Sequence, residues 1–272
     1  MINLRKNREI WRSALIASGL FSLVLGGIAC NRGASESPSS TGGSDAKMAA
    51  DKIAEAEPLY DGREDMNKAR EAVTALRQAH AADYGNYEAA WKLARAAFSV
   101  GDRTDNDTEA DAMFKEGIDA GKAAVQLQPN KPDGHFWLGA NYGGSAEHST
   151  LSNLSSFQDI KAEMEAVLKI DESYQGYSAY LGLGRLYLEA PKMLGGDPTK
   201  AVGYLEKGLK FNPANTLMRE ELAEAYDATG RPAEAKKQIE TLMSTTPDPK
   251  HVAEHKQAVE DAKKLLEKIN RE

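Results

Sequence analysis

The sequence predicts an all-α solenoid of stacked antiparallel helix pairs, closed by a C-terminal capping helix. The first observation is residues 177–213, where a helical apolar period stops at Pro191, restarts after Asp197 and ends at Asn212-Pro213. Because Asp favours the N-cap and proline cannot continue a helix, this segment predicts two helices joined by an insert. The second observation is that the unit recurs. The third is that no segment alternates as a half-buried strand does.

The recurring unit has a large apolar residue followed by a small residue in its first helix. These pairs are Leu93-Ala94, Leu138-Gly139, Leu183-Gly184 and Leu222-Ala223. A degenerate helix pair from about Lys47 to His80 is expected to precede them. A helix pair of this kind cannot bury its apolar face alone, so the pattern predicts a right-handed tetratricopeptide-repeat solenoid.

The first 29 residues have the pattern of an export signal. A basic start is followed by an apolar run from Ala14 to Ala29, which is shorter than the ~20 residues of a spanning helix. The only cysteine, Cys30, follows directly. This order resembles the lipobox of bacterial lipoproteins and implies lipidation at Cys30, although Gly27 stands where leucine is usual. An uncleaved signal anchor is the alternative.

The rest of the chain divides into three regions. Residues 30–46 are rich in Ser, Gly and Pro and are expected to form a flexible tether. Residues 47–250 are expected to form four to five helix pairs, in which Gly143-Gly144 ends one helix early before a polar insert. Residues 251–272 are expected to form the capping helix, with a polar outer face.

Charge and residue usage limit the classes of function that the sequence predicts. The net charge is −7 over 272 residues, and the signal region is basic, so the body is more acidic still. An acidic body argues against nucleic-acid binding. His251, Glu254 and His255 match an H-x-x-E-H zinc-peptidase pattern, but only 17 residues follow them. We therefore read them as solvated helix residues and expect neither an enzyme nor a metal or cofactor.

The first helix of each pair is expected to line the concave face. The residues counted as facing inward are Trp91, Arg95, Phe98, Phe136, Leu181, Arg185 and Leu188. Exposed apolar patches often mark binding surfaces, and arginine suits a carboxylate, so we expect Arg95 and Arg185 to bind an anionic group. The alternatives are that the groove is filled as core and that each arginine pairs with a neighbour such as Glu88 or Glu189.

The insert is expected to be an ordered loop at the rim of this groove. Its residues are Pro191, Gly195, Gly196 and Asp197. Together with Trp91-Lys92-Leu93-Ala94-Arg95 and His135-Phe136-Trp137-Leu138-Gly139, the insert resembles the T-component of TRAP transporters. That family consists of periplasmic tetratricopeptide lipoproteins. The first two segments also resemble the regulator of microtubule dynamics family, against which the lipobox argues.

The resemblance covers roughly Lys47 to Met243. It implies a periplasmic solute-binding protein of a TRAP-type transporter as partner, an organic-acid or hydrophobic ligand, and a homotrimer. The sequence thus predicts a non-enzymatic, periplasm-facing lipoprotein that is an accessory component of such an uptake system. The alternative is a structural envelope scaffold that only holds protein partners together.

Overall fold

The computed structural model describes residues 42–148, 154–246 and 252–271. These ranges contain eleven α-helices and no strand, which confirms the all-α expectation. The helices are α1 (Gly42–Asp61), α2 (Met66–Ala82), α3 (Tyr87–Gly101), α4 (Asp107–Leu127), α5 (Pro132–His148), α6 (Leu154–Ile170), α7 (Tyr174–Glu189), α8 (Pro198–Phe211), α9 (Thr216–Ala228), α10 (Pro232–Ser244) and α11 (Val252–Ile269). A 3₁₀ turn at Lys192–Leu194 separates α7 from α8.

Consecutive helices pack as pairs, from α1 with α2 to α9 with α10. The first helices of neighbouring pairs also touch, most extensively α3 with α5. The last helix, α11, packs on α9 and α10, as a cap must to hide the last apolar surface. This arrangement is the predicted tetratricopeptide-repeat solenoid.

Short polar side chains fix where several helices begin. Asp65, Asn86, Asn106, Asp197 and Asn215 each accept a hydrogen bond from a backbone N–H in the first turn. Each such N-cap stabilises its helix by about 1 kcal/mol. The cap by Asp197, followed by proline, is the helix start that the sequence predicted.

Two arginine–glutamate pairs tie α2 to α4. Arg70 donates to Glu109 from two nitrogens, and Arg77 does the same to Glu116, with distances of 2.6 to 2.8 Å. In both pairs the partners are 39 positions apart, so the two helices lie in constant register. This spacing is longer than the roughly 34 residues of an undecorated repeat.

Gly143-Gly144 does not end a helix, contrary to our expectation, because α5 continues to His148. A Cβ added at Gly144 would lie 2.2 Å from Cε1 of Phe114. The missing side chain therefore lets α4 and α5 approach closely, and the glycine serves helix packing instead of chain reversal.

Two boundaries also differ from the predicted ones. The first helix begins at Gly42, inside the expected tether. α6 begins at Leu154, inside the polar insert that the sequence predicted from Ser145 to Ser156. The signal region, Cys30 and His251 lie outside the described residues. Within the described ranges, no helix combines the length and the apolar composition that crossing a bilayer requires.

Candidate functional site

A pocket opens between α5, α6 and α7, where the third and fourth helix pairs meet. Its empty volume is about 810 Å³, including the part open to solvent. All three helices and the insert contribute apolar walls. These are Ala140, Gly143 and Ala146 of α5, Phe157, Ile160 and Met164 of α6, Leu181 and Leu186 of α7, Ala190 directly after α7, and Leu194 of the insert. Apolar walls with a few polar groups are the usual form of a small-molecule site.

Glycines of α5 and α7 shape this pocket in two ways. A Cβ added at Gly143 would meet no heavy atom within 4 Å, so this position faces empty space. Gly139 and Gly182 instead make room for Met164, whose side chain would lie 2.9 and 3.1 Å from their added Cβ atoms. α5 touches α7 much less than it touches α3. The pocket is the space left by that loose contact.

The polar end of the pocket contains a buried ion pair. Nε of Arg185 donates to Oε1 of Glu221 at 2.8 Å, and the two residues are 3% and 1% exposed. Burial disfavours the charged guanidinium, but the surrounding carboxylates, led by Glu221, raise the pKa of Arg185 above its usual value. Arg185 is therefore paired with a carboxylate of the protein, although Glu221 was not the partner that the sequence suggested.

Glu147 lies in the last turn of α5 and lines the same end of the pocket. Burial, followed by repulsion from Glu189, raises the pKa of Glu147 well above its ordinary value, while Arg185 acts in the opposite direction. Glu147 is partly exposed and is among the residues that line the pocket. Among the described residues, no hydrogen bond or ion pair reaches this carboxylate.

Arg95 lies elsewhere, against α1. Its Nη2 is 3.2 Å from Oε1 of Glu57, and its guanidinium carbon lies 3.8 Å from the ring centroid of Tyr60 and 5.0 Å from that of Trp91. Glu57 also accepts from Lys92 at 2.8 Å. The N-terminal helix thus covers this part of the expected groove, and Arg95 and Arg185 do not share a site.

The other expected groove residues are divided between core and pocket. Phe98 and Phe136 are 3% and 2% exposed and pack on Trp137 in the core. Leu188 is half-buried and packs against the core. Of the seven residues counted from the sequence, the pocket walls include Leu181 and Arg185.

The insert is ordered and forms one rim of the pocket. The backbone N–H of Asp197 donates to the carbonyl of Tyr187 at 2.8 Å, and that of Gly196 donates to Pro191 at 3.1 Å. Gly195 has a φ of 112°, which other residues rarely adopt. Leu194 lines the pocket, while Met193 is 81% exposed.

Sequence reasoning missed Glu147 and the three α6 residues of the pocket, Phe157, Ile160 and Met164. Glu147 lay in a stretch interpreted as a polar insert because two glycines precede it. The apolar spacing of Phe157, Ile160 and Met164 marks a buried helix face, but spacing alone does not show a gap beside that face.

The fold places the chain among the tetratricopeptide-repeat proteins, in agreement with solved structures. TTC0263, a thermophilic TPR protein of Thermus thermophilus, is 19% identical with a TM-score of 0.56, covering 78% of this chain and 98% of its own. The pilF protein of Pseudomonas aeruginosa is 15% identical with a TM-score of 0.55, covering 83% of this chain and 93% of its own.

The particular family follows from the sequence profile. The profile of the regulator of microtubule dynamics protein 1-3 family matches residues 52–270, a range that includes the pocket and the insert. The chain belongs to this family, which the sequence analysis had placed second. No curated protein sequence matches the chain.

Proposed function

We propose that this protein is a non-catalytic binding protein whose pocket between α5 and α7 holds the apolar part of a small amphipathic molecule. The observation that carries the proposal is the open space at Gly143, inside walls that are almost entirely apolar. Burying apolar surface is favourable by about 25 cal/mol per Å². An apolar chain would gain this free energy in the pocket without any reaction.

Two glycine variants test this proposal. Gly143→Leu places a side chain in the pocket, whereas Gly203→Leu places the same side chain on the exposed surface of α8, where an added Cβ also meets nothing within 4 Å. With the neutral probe decanol, we expect calorimetry to show at least tenfold weaker binding to Gly143→Leu and unchanged binding to Gly203→Leu. Equal binding by the wild type and both variants contradicts the proposal.

The finer proposal is that the protein is an accessory component of a TRAP-type uptake system and contacts its periplasmic solute-binding protein. Support comes from the resemblance of the insert to the T-component, and from the exposed Met193 on that ordered loop. Met193→Asp should weaken co-purification with that partner, whereas Met243→Asp on α10 should not. Native mass spectrometry of the same preparation would show whether the chain is a trimer.

The alternative is a structural scaffold that binds protein partners alone. The variant Gly143→Leu distinguishes the scaffold from the solute-handling component. A scaffold keeps its protein partner and has no apolar ligand to lose, whereas a solute-handling component loses its ligand.

We also propose that Cys30 anchors the chain to a membrane of the bacterial envelope. The support is its position directly after the apolar run of the sequence. Each buried acyl methylene contributes about 0.8 kcal/mol, so several acyl chains anchor firmly. Radioactive palmitate should label the wild type and not Cys30→Ser, and labelling of both contradicts lipidation at Cys30.

A further inference from the structure

We infer that the amphipathic molecule carries a cationic head group, an alkylammonium in place of a carboxylate, held beside Glu147 at the polar end of the pocket. This inference rests on the proposed function, because it concerns the same pocket. It joins two observations: Arg185 is already paired with Glu221, and Glu147, to which no described residue gives a hydrogen bond or ion pair, is among the residues that line the pocket.

Among the described residues that line the pocket, Arg185 is the only cation, and it is already paired with Glu221. To bind Arg185, a ligand carboxylate would compete with Glu221 at a distance of 2.8 Å. Glu221 is 1% exposed, so displacing it would leave a charge buried without compensation. Removing one partner from a buried pair is strongly unfavourable. The arginine that suggested an organic acid is therefore unsuited to bind one.

A cationic head group would instead supply a counter-charge to the carboxylate of Glu147. Its charged form is disfavoured by burial and by like charges, which is why its pKa is raised. Among the described residues, the charged groups that act most strongly on it from the packed helices are Glu189 and Arg185 of α7, Glu221 of α9 and Asp102 after α3. Three of these four groups are acidic. An ammonium at this position adds a positive charge where carboxylates predominate.

This assignment implies that binding is coupled to a proton. When Glu147 is protonated, entry of an alkylammonium pairs the cation with the carboxylate, and the carboxyl proton passes to the buffer. Affinity for the cation should therefore rise as the pH rises through the titration of Glu147. Affinity for a neutral alcohol of the same chain length should not rise in this way.

Three probes with one chain length test the inference: decylamine, decanol and decanoate, titrated calorimetrically into the protein at pH 8. We expect decylamine to bind at least tenfold more tightly than decanol, and decanoate to bind more weakly than decanol. Glu147→Gln should remove the preference for decylamine and keep the binding of decanol. Glu240→Gln, at an exposed position on α10, should behave as the wild type.

The outcomes separate this inference from the proposed function. Equal binding of the three probes, or a decylamine preference that persists in Glu147→Gln, overturns the inference and leaves the apolar pocket standing. Tightest binding of decanoate overturns it in favour of an anionic ligand. If no probe binds to a chain whose circular dichroism shows folded helices, the proposed function fails as well.

Discussion

The two sides of α5 make opposite kinds of contact. Towards α3 and α4, Asn141 is fully buried and donates to the carbonyl of Ala94 in α3 at 3.0 Å, and it also donates to the carbonyl of Trp137 in α5 itself at 2.7 Å. Phe114 packs against Gly144 on this side. Towards α7, Gly143 faces open space. Of two adjacent glycines, Gly144 thus allows close packing and Gly143 borders a pocket. The effect of a glycine on helix packing therefore depends on the helix that lies opposite it.

The largest effect is expected at the buried ion pair that joins α7 to α9 beside the pocket. Arg185→Met leaves Glu221 buried and unpaired, so we expect a loss of about 3–5 kcal/mol in the free energy of unfolding, measured in urea. The double variant Arg185→Met/Glu221→Met should recover most of this loss. A single-variant loss below about 1 kcal/mol would show that the pair contributes little to the α7–α9 contact.

Alanine at glycine positions tests the contrast between the two sides directly. A Cβ at Gly117 would lie 2.0 Å from Oδ1 of Asn141, so Gly117→Ala should lower the unfolding free energy by about 1–3 kcal/mol. Gly143→Ala has room and a better helix propensity, so it should raise stability by up to about 1 kcal/mol. Urea unfolding of the two variants checks the signs. The same sign at both positions would refute the contrast.

We expect the contact between α5 and α6 to depend on pH through His135. Its ring nitrogens lie 2.6 Å from Oε2 of Glu163 and 2.9 Å from the carbonyl of Pro129. The hydrogen bond to Glu163 outweighs burial and raises the pKa of His135 above its ordinary value of about 6.5. Because the folded-state pKa is the higher one, the stabilisation is complete below pH ~6.5 and is lost as the pH rises through the folded-state pKa.

The measurement for His135 is the stability difference between the wild type and His135→Gln, from urea unfolding between pH 5.5 and 8.5. We expect the wild-type advantage to be largest at the acidic end and to decline with rising pH. Taking the difference cancels the titration of the other histidines, including His80, whose pKa burial lowers. An advantage that stays constant with pH would show that His135 does not titrate in this contact.

The smallest effect is expected at the exposed pair between α2 and α4. Arg77→Ala should cost about 0–1 kcal/mol, since both partners are partly solvated and salt screens them. A double-mutant cycle with Glu116→Ala at low and high salt measures the coupling. Coupling above about 2 kcal/mol would place this surface pair in the same class as Arg185 and Glu221.

The helix boundaries that depend on local sequence were predicted correctly at the insert and at the end of α8. The break at Pro191, the cap by Asp197 and the stop at Asn212 each depend on a residue and its immediate neighbours. Gly144 misled because glycine either ends a helix or admits a close neighbour. The ring of Phe114, thirty positions away, decides between these roles. Long-range contacts of this kind carry no local signature.

The candidate site was predictable only in part for the same reason. Helical spacing put Leu181 and Arg185 on one face of α7, and both residues line the pocket. It could not show that Glu221 would neutralise Arg185, or that Tyr60 of α1 would cover Arg95. Spacing defines which face a residue occupies, whereas its partner is fixed by the stacking of other helices.

The loose contact between α5 and α7 also bears on cooperativity. In a repeat protein each unit is stabilised chiefly by its neighbours, so a weak interface is where unfolding can divide the chain into blocks. Here the fourth pair is joined to the third mainly through α6. A molecule seated between α5 and α7 would act as additional interface, so that the helices on its two sides unfold together. Binding in the pocket would then make the unfolding of the two halves of the solenoid more cooperative, without any helix changing position.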